Sequence, residues 1–414
     1  MGDYTNTQKT KRSIFLIFDQ IPSGMNKIVF TEEFCQPENL YPFTLTRQIQ
    51  DIRVGILTIR EKWEQWLRLP SYDRQEDDYK DLDRSVSTAQ CAADGDCLMV
   101  HGNVLPTASL IKAARRLKNG EFLSADGTGI VFRFSAKEVS RGNIRVKKAI
   151  AYTEAIKTIR YPWDIFQLND WAIREDMLLL AKKRKSKALS RTNKMTGGHT
   201  IFIEKGAKVE HAILNASAGP IYIGKNAEVM EGAMIRGPFA LGEGGCVKMG
   251  AKIYGATTAG PYCVIAGEVK NSVLFGYSNK AHDGYLGDSV VGEWCNMGAG
   301  TTNSNLKNNA GIVRIWTPGG EKEAGLKCGV LMGDYSRTAV NTSINTGTVI
   351  GAGCNVFGTG LTPKHIPNFS WGSDGVEKYR LDEALRDIDG WKKLKGQSLS
   401  AADKSILTYI YNHL

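Results

Sequence analysis

The chain has 414 residues, 42% of them hydrophobic, and a formal net charge of +10. That length calls for two or three packed domains. No apolar run approaches the ~18 residues that cross a bilayer, which excludes helical membrane insertion. The positive charge comes without a zinc-finger, RNA-recognition or helix-turn-helix pattern, so nucleic acid is not the expected partner and anionic small molecules suit the charge instead. Cys35, Cys91, Cys97, Cys246, Cys263, Cys295, Cys328 and Cys354 are scattered without CxxC spacing. Reduced thiols, no zinc site and a cytoplasmic location are the expectation.

Residues 1–24 read as a polar, disordered leader to the first strand. From 25 to 160 the pattern is α/β. "KIVFTEE" and "CLMVHG" are buried strands, and "TASLIKAARRLKNG" is an amphipathic helix ended by Gly120. Residues 161–194 supply a long connecting helix and a basic linker, with six bases and no acid between Lys182 and Arg191.

The texture changes at about 195. Ile223, Val229, Ile235, Leu241, Val247 and Ile253 fall six residues apart without a break, and the register returns at Met332, Thr338, Ile344, Ile350 and Val356. A six-residue repeat of one aliphatic among small residues is the mark of a parallel β-helix over 195–370. Each hexad gives one short strand and one turn, three hexads make a coil, and stacked coils share a core. The non-hexad insertion Asn303 to Gly329 is expected to serve a binding face. Two helices close the chain over 371–414. The first places Leu381, Leu385, Ile388 and Trp391 on one face, and the second starts at a Ser400 cap, both packing on the solenoid.

Chemistry-bearing residues concentrate in "EVKNSVLFGYSNKAHDGYLGDSVVGEWCNMGAGTTNSN". Lys270 lies twelve residues before His282, Tyr285 three after, Asn296 fourteen after and Asn305 twenty-three after. Histidine, with an ordinary pKa near ~6.5, takes a proton from an attacking amine at neutral pH. This segment resembles the acetyltransferase half of the bifunctional N-acetylglucosamine-1-phosphate uridyltransferases, in which a lysine precedes a "SKAGHLTYLGD"-like stretch. The resemblance implies a left-handed β-helix, a homotrimer and acetyl-coenzyme A bound between subunits. It implies His282 as base and Asn305 near the acetyl group, both catalytic. It puts Lys270 and Tyr285 on the substrate phosphate and Asn296 on the sugar. The chain departs from the family at "GPFALGEGG", which has Leu241 and no arginine, and at Gly311, where a lysine is usual. The acceptor is therefore expected to differ from glucosamine 1-phosphate.

The N-terminal "LYPFTLTR", Leu40 to Arg47, resembles the sugar nucleotidyltransferases, including a divergent family whose similar domain precedes hexapeptide repeats. The family's glycine-rich triphosphate loop stands here as "CQPEN", Ile49 replaces its lysine, and its metal-binding "GD" reads Gly102-Asn103. Asparagine is a poor substitute for a carboxylate on Mg²⁺. Arg47, Arg53 and Lys62 are the candidate phosphate-binding residues, with Glu32 or Glu33 as candidate metal ligands. The leading reading is acetyl transfer to an amino-sugar phosphate or sugar nucleotide beside a degenerate nucleotidyltransferase domain. Nucleotidyl transfer with Mg²⁺ and a nucleoside triphosphate, or a non-catalytic trimer binding sugar nucleotide, are the alternatives.

Overall fold

The structure, a computed structural model, describes residues 25–33, 35–74, 79–80, 85–86, 95–135, 146–182 and 184–414. The leader 1–24 and Cys91 fall outside these residues. The other seven cysteines are free thiols, most of them buried. No helix among the described residues is long and apolar enough to cross a membrane.

The N-terminal half is built on one seven-stranded sheet. Its parallel part holds β1 (Met25–Thr31), β2 (Ser71–Arg74), β3 (Ser85–Val86) and β4 (Asp96–His101). After the short β5 (Val104–Leu105) come β6 (Glu121–Ala125), β7 (Thr128–Phe134) and β8 (Lys148–Ala151). The order is β3-β2-β1-β4-β7-β6-β8, with β7 antiparallel to both neighbours. From β1 the chain goes to β2 on one side and later returns to β4 on the other. Loops after β1 and β4 therefore diverge and leave a crevice at their carboxyl ends. Helix α1 (Ile59–Leu67) opens with a reciprocal Thr58–Glu61 capping box. Helix α2 (Ala108–Arg116) is capped by Thr107 and ends a turn before Gly120.

The predicted connecting helix is broken in two, α3 (Pro162–Gln167) and α4 (Asn169–Ala181). The break has a reason. Asn169, fully buried, accepts from Gly55 N (2.8 Å) and Thr258 Oγ1 (3.1 Å) and donates to Ala256 O (2.7 Å), so it ties three segments at one point. The basic linker beyond it runs extended and exposed.

The second half is a β-helix of three sheets with six, nine and ten strands, parallel but for the last pair of the third, in keeping with the expected left-handed prism. Its inward ladders are the hexad aliphatics. Leu214, Ile235, Ile253, Val269 and Leu286 stack in the first sheet. Ile223, Leu241, Ala259, Leu274, Val291, Met332 and Ile350 stack in the second. Val229, Val247 and Ile265 stack in the third. All of them are buried. Tight corners demand glycine where coils touch: a Cβ on Gly260 would lie 1.8 Å from the Phe275 carbonyl oxygen.

The two halves share a core. Phe43 packs on Phe275 with ring centres 5.1 Å apart, and Val273, Val290, Leu331 and Val349 of the second sheet join the N-terminal cluster. The insertion forms an antiparallel hairpin, Val313–Ile315 with Lys322–Gly325. Its Val313, Ile315 and Ala324 are buried in that same core, and Gln167 donates to the Ala324 carbonyl (3.0 Å). The hairpin thus braces the two halves, because its alternating apolar residues have a surface to cover. Helices α5 (Leu381–Lys393) and α6 (Ala401–His413) pack on Trp294, Tyr335 and Phe369, with the Ser400 cap in place.

Candidate functional site

The first sheet carries Lys270 and Tyr285 on neighbouring strands, where Glu268 pairs with Tyr285 and Lys270 with Gly287. Asn305 rises beside them at the start of the insertion. Its Nδ2 donates to Tyr285 Oη (3.0 Å) and to Asp288 Oδ2 (2.5 Å). Asp288 Oδ1 accepts from Asn271 Nδ2 (2.7 Å), so the carboxylate is fixed from both sides. Both amide hydrogens are thus engaged, and the side-chain oxygen is the remaining acceptor of Asn305. The Tyr285 hydroxyl accepts from Asn305 and keeps its own proton. Burial and the nearby Asp288 push its pKa up to about 12.

His282 sits on the connection 281–284 leading into the Tyr285 strand, and its side chain is exposed. The connection is clamped by its neighbours. Gly284 O accepts from Glu268 N (3.2 Å) and Asp283 O from Gly300 N (3.1 Å). Gly284 has φ +119, and a Cβ there would lie 2.1 Å from the Thr301 carbonyl oxygen. Asn296 stands apart, on the third sheet, where its Oδ1 accepts from Asn279 Nδ2 (3.4 Å). Lys395, just past α5, donates to the same Asn279 (3.0 Å). The structure therefore joins Lys270, Tyr285 and Asn305 on one flank, with His282 on the turn into it, and leaves Asn296 on another.

Tyr254, Glu268, Asn271 and Asp288 on the flank are not singled out by the sequence reading. Tyr254 lies beside Lys270 in register, with the Lys270 ammonium 5.9 Å from its ring centre. Its hydroxyl donates to Glu268 Oε1 (2.5 Å), which with burial pushes its pKa up to about 12. Outward positions one coil from Lys270 were the available signal.

The N-terminal crevice is a cleft of 1240 Å³ at the carboxyl ends of β1 and β4. Gln36, Asn39, Asn103, Asp126, Glu154 and Arg160 supply polar groups to it. His101 also lines it, and burial pushes its imidazole down to about 4, so it is neutral at physiological pH. Among the described residues no group of three His, Cys, Asp or Glu side chains is arranged to hold a metal. Glu32 accepts from Ile49 N (2.5 Å), and Glu33 pairs with Arg74. Both carboxylates thus have protein partners.

Arg47, Arg53 and Lys62, expected on phosphate, are not among the described residues lining this cleft. They sit at the seam instead. Arg47 pairs with Asp334 and, at 3.3 Å, with Glu293, both from the β-helix. Its guanidinium also lies 5.0 Å from the Phe275 ring centre. Arg53 Nε donates to the Phe275 carbonyl (3.0 Å). Lys62 pairs with Asp176 of α4, fully out of solvent, where burial pushes the amine down and Asp176 pulls it back up. Buried cations need such partners, and the seam supplies them.

A mixed α/β sheet with a cleft at its switch point, fused to a hexapeptide β-helix bearing a polar flank, defines the class. The comparisons agree. A family model described as "Sugar nucleotidyl transferase" matches residues 28–185. The chain is 29% identical over 267 residues to the bifunctional sugar-1-phosphate nucleotidylyltransferase/acetyltransferase of Sulfurisphaera tokodaii, covering 61% of this chain and 59% of that protein. It is 30% identical over 128 residues to the Bifunctional protein GlmU of Methanocaldococcus jannaschii, covering 31% and 29%. The chain thus spans under two thirds of either relative. A solved structure, the polySia specific acetyltransferase NeuO, aligns over 50% of this chain and 98% of its own, with 11% identity and a TM-score of 0.28.

Proposed function

We propose that the β-helix half transfers an acetyl group from acetyl-coenzyme A to an amino-sugar phosphate or amino-sugar nucleotide. The supporting observation is the flank on which Tyr285 and Asn305 are hydrogen-bonded to each other and Lys270 stands on the neighbouring strand, with the exposed His282 on its connecting turn. The His282 imidazole accepts a proton from the acceptor amine as its nitrogen attacks the thioester carbonyl carbon. The tetrahedral intermediate collapses, the carbon–sulfur bond breaks, and coenzyme A leaves as thiol or thiolate. Lys270 and the Tyr285 hydroxyl hold the acceptor's phosphate, and the Asn305 carbonyl orients an N–H of the acceptor.

Asn296 contributes to the sugar from a different sheet, which a homotrimer accommodates by bringing one copy's third sheet to another's first. The second sheet is covered by the chain's own N-terminal half, and the C-terminal helices cover part of the third at Arg337 and Asn279, so the first sheet and the rest of the third remain for self-association. In this reading the N-terminal cleft holds a sugar or sugar nucleotide without activating a triphosphate. Nucleotidyl transfer is the second reading, favoured by the family match over 28–185. Incubation with isotopically labelled acetyl-coenzyme A and a panel of amino-sugar 1-phosphates and nucleotides, read by mass spectrometry, tests the first. A labelled product is expected with at least one acceptor. Its absence across the panel from folded protein refutes the reading.

A further inference from the structure

A lysine interrupts the aliphatic ladder of the third sheet. The inward positions of successive coils read Val229, Val247, Ile265 and then Lys280, with Met297 in the coil beyond. Lys280 has no exposed surface, like the aliphatics around it. An amine in that place is costly unless it is hydrogen-bonded. Its partners are specific. The Lys280 Nζ donates to the carbonyl oxygen of His282 and, at 3.1 Å, to that of Asp283. Both belong to the 281–284 connection that carries the exposed imidazole. From below, Gly267 lets the same loop sit close: a Cβ there would be 2.9 Å from the His282 carbonyl oxygen. An aliphatic at 280 would complete the ladder but take this donor from the His282 carbonyl and leave that of Asp283 with Gly300 N alone.

We propose that Lys280 is the positioning residue of the His282 loop, holding that backbone from inside the prism so that the imidazole faces the flank of Tyr285 and Asn305. The proposal rests on the acetyl-transfer reading for its catalytic consequence, but not for the loop geometry itself. The amine takes no part in the proton transfer. Burial pushes its pKa down to about 8, against the pull of Asp283, so at neutral pH it is largely charged and donates to both carbonyls.

Two measurements test this separately. The first is steady-state kinetics on Lys280→Met, whose side chain matches Met297 above it. A fall in kcat of at least tenfold, with KM for acetyl-coenzyme A and the acceptor within twofold, is expected. Combining it with His282→Ala should add no further loss, because both act through one group. Unchanged kcat, or full additivity in the double variant, overturns the proposal. The second is hydrogen exchange in the full-length chain, which needs no substrate. Amides 281–285 are expected to exchange at least tenfold faster in Lys280→Met, while 247–253 stay as in the parent. Unchanged exchange at 281–285 overturns the proposal even if the acetyl-transfer reading has failed on its own test. Lys280→Gln, which retains an N–H donor, is the second variant should methionine prevent folding, and the same two criteria apply to it.

Discussion

The two halves use their polar side chains in opposite ways. On the β-helix flank, Lys270, Tyr285 and Asn305 are half-buried on strands and turns whose inward neighbours carry the core. In the N-terminal half, Arg47, Arg53 and Lys62 are turned inward and meet carboxylates or carbonyls of distant segments. Polar residues of similar types thus line an outer face in one setting and brace distant segments against each other in the other. Fold geometry makes the difference: a six-residue repeat fixes which side chains point out, whereas loops around a mixed sheet aim theirs according to what packs on them.

The largest effect that sharpens the comparison is His282→Ala. A general base contributes about 10²–10⁴-fold, so acetyl transfer should fall by that factor while thermal unfolding stays within a degree or two, as read by kinetics and calorimetry. Arg47→Ala should do the reverse. It leaves Asp334 buried without its cation, a loss of about 3–5 kcal/mol, visible as a lower denaturant midpoint with the β-helix chemistry intact in the folded fraction. Retained stability in Arg47→Ala would break the comparison.

A smaller effect depends on pH. The folded Lys280 amine titrates near 8, below the ~10.4 of an unfolded lysine. Between those values the unfolded chain binds the extra proton, so raising the pH favours the folded state. The unfolding free energy of the parent minus that of Lys280→Met should therefore increase from pH 8 to about 10, measured by chemical denaturation across that window. A flat difference would place the amine in water. The smallest is Ser400→Ala, which removes a hydroxyl accepting from Asp403 N (3.0 Å). About 1 kcal/mol is expected, confined to faster amide exchange at the start of α6.

How much was legible follows from the range of the interactions involved. The hexad register predicted the buried ladders from Ile223 to Ile253 because each position is set by local sequence and repeated by its neighbours. The grouping of Lys270, Tyr285 and Asn305 came from the motif resemblance instead, and the structure sets the first two on neighbouring strands. The destiny of Arg47 was not legible, since its partner Asp334 lies 287 positions away. Lys62 meets Asp176 114 positions away. The insertion's "GIVRIW" alternation signals a strand, but only the packed N-terminal half shows what that strand covers. The place of Lys280 in the inward ladder is hidden in the sequence because the coil from Ile265 is shortened to fifteen residues.

The central claim is that the chemistry resides in the β-helix and not at the N-terminal cleft. One reaction mixture tests it, containing the protein, acetyl-coenzyme A, Mg²⁺, nucleoside triphosphates and a panel of amino-sugar 1-phosphates, with acetylated sugar and released pyrophosphate both quantified. Acetylated product that disappears in His282→Ala, with no pyrophosphate above background, is the expected result. Pyrophosphate and a sugar nucleotide without any acetylated product would contradict the account and move the chemistry to the cleft beside Asn103.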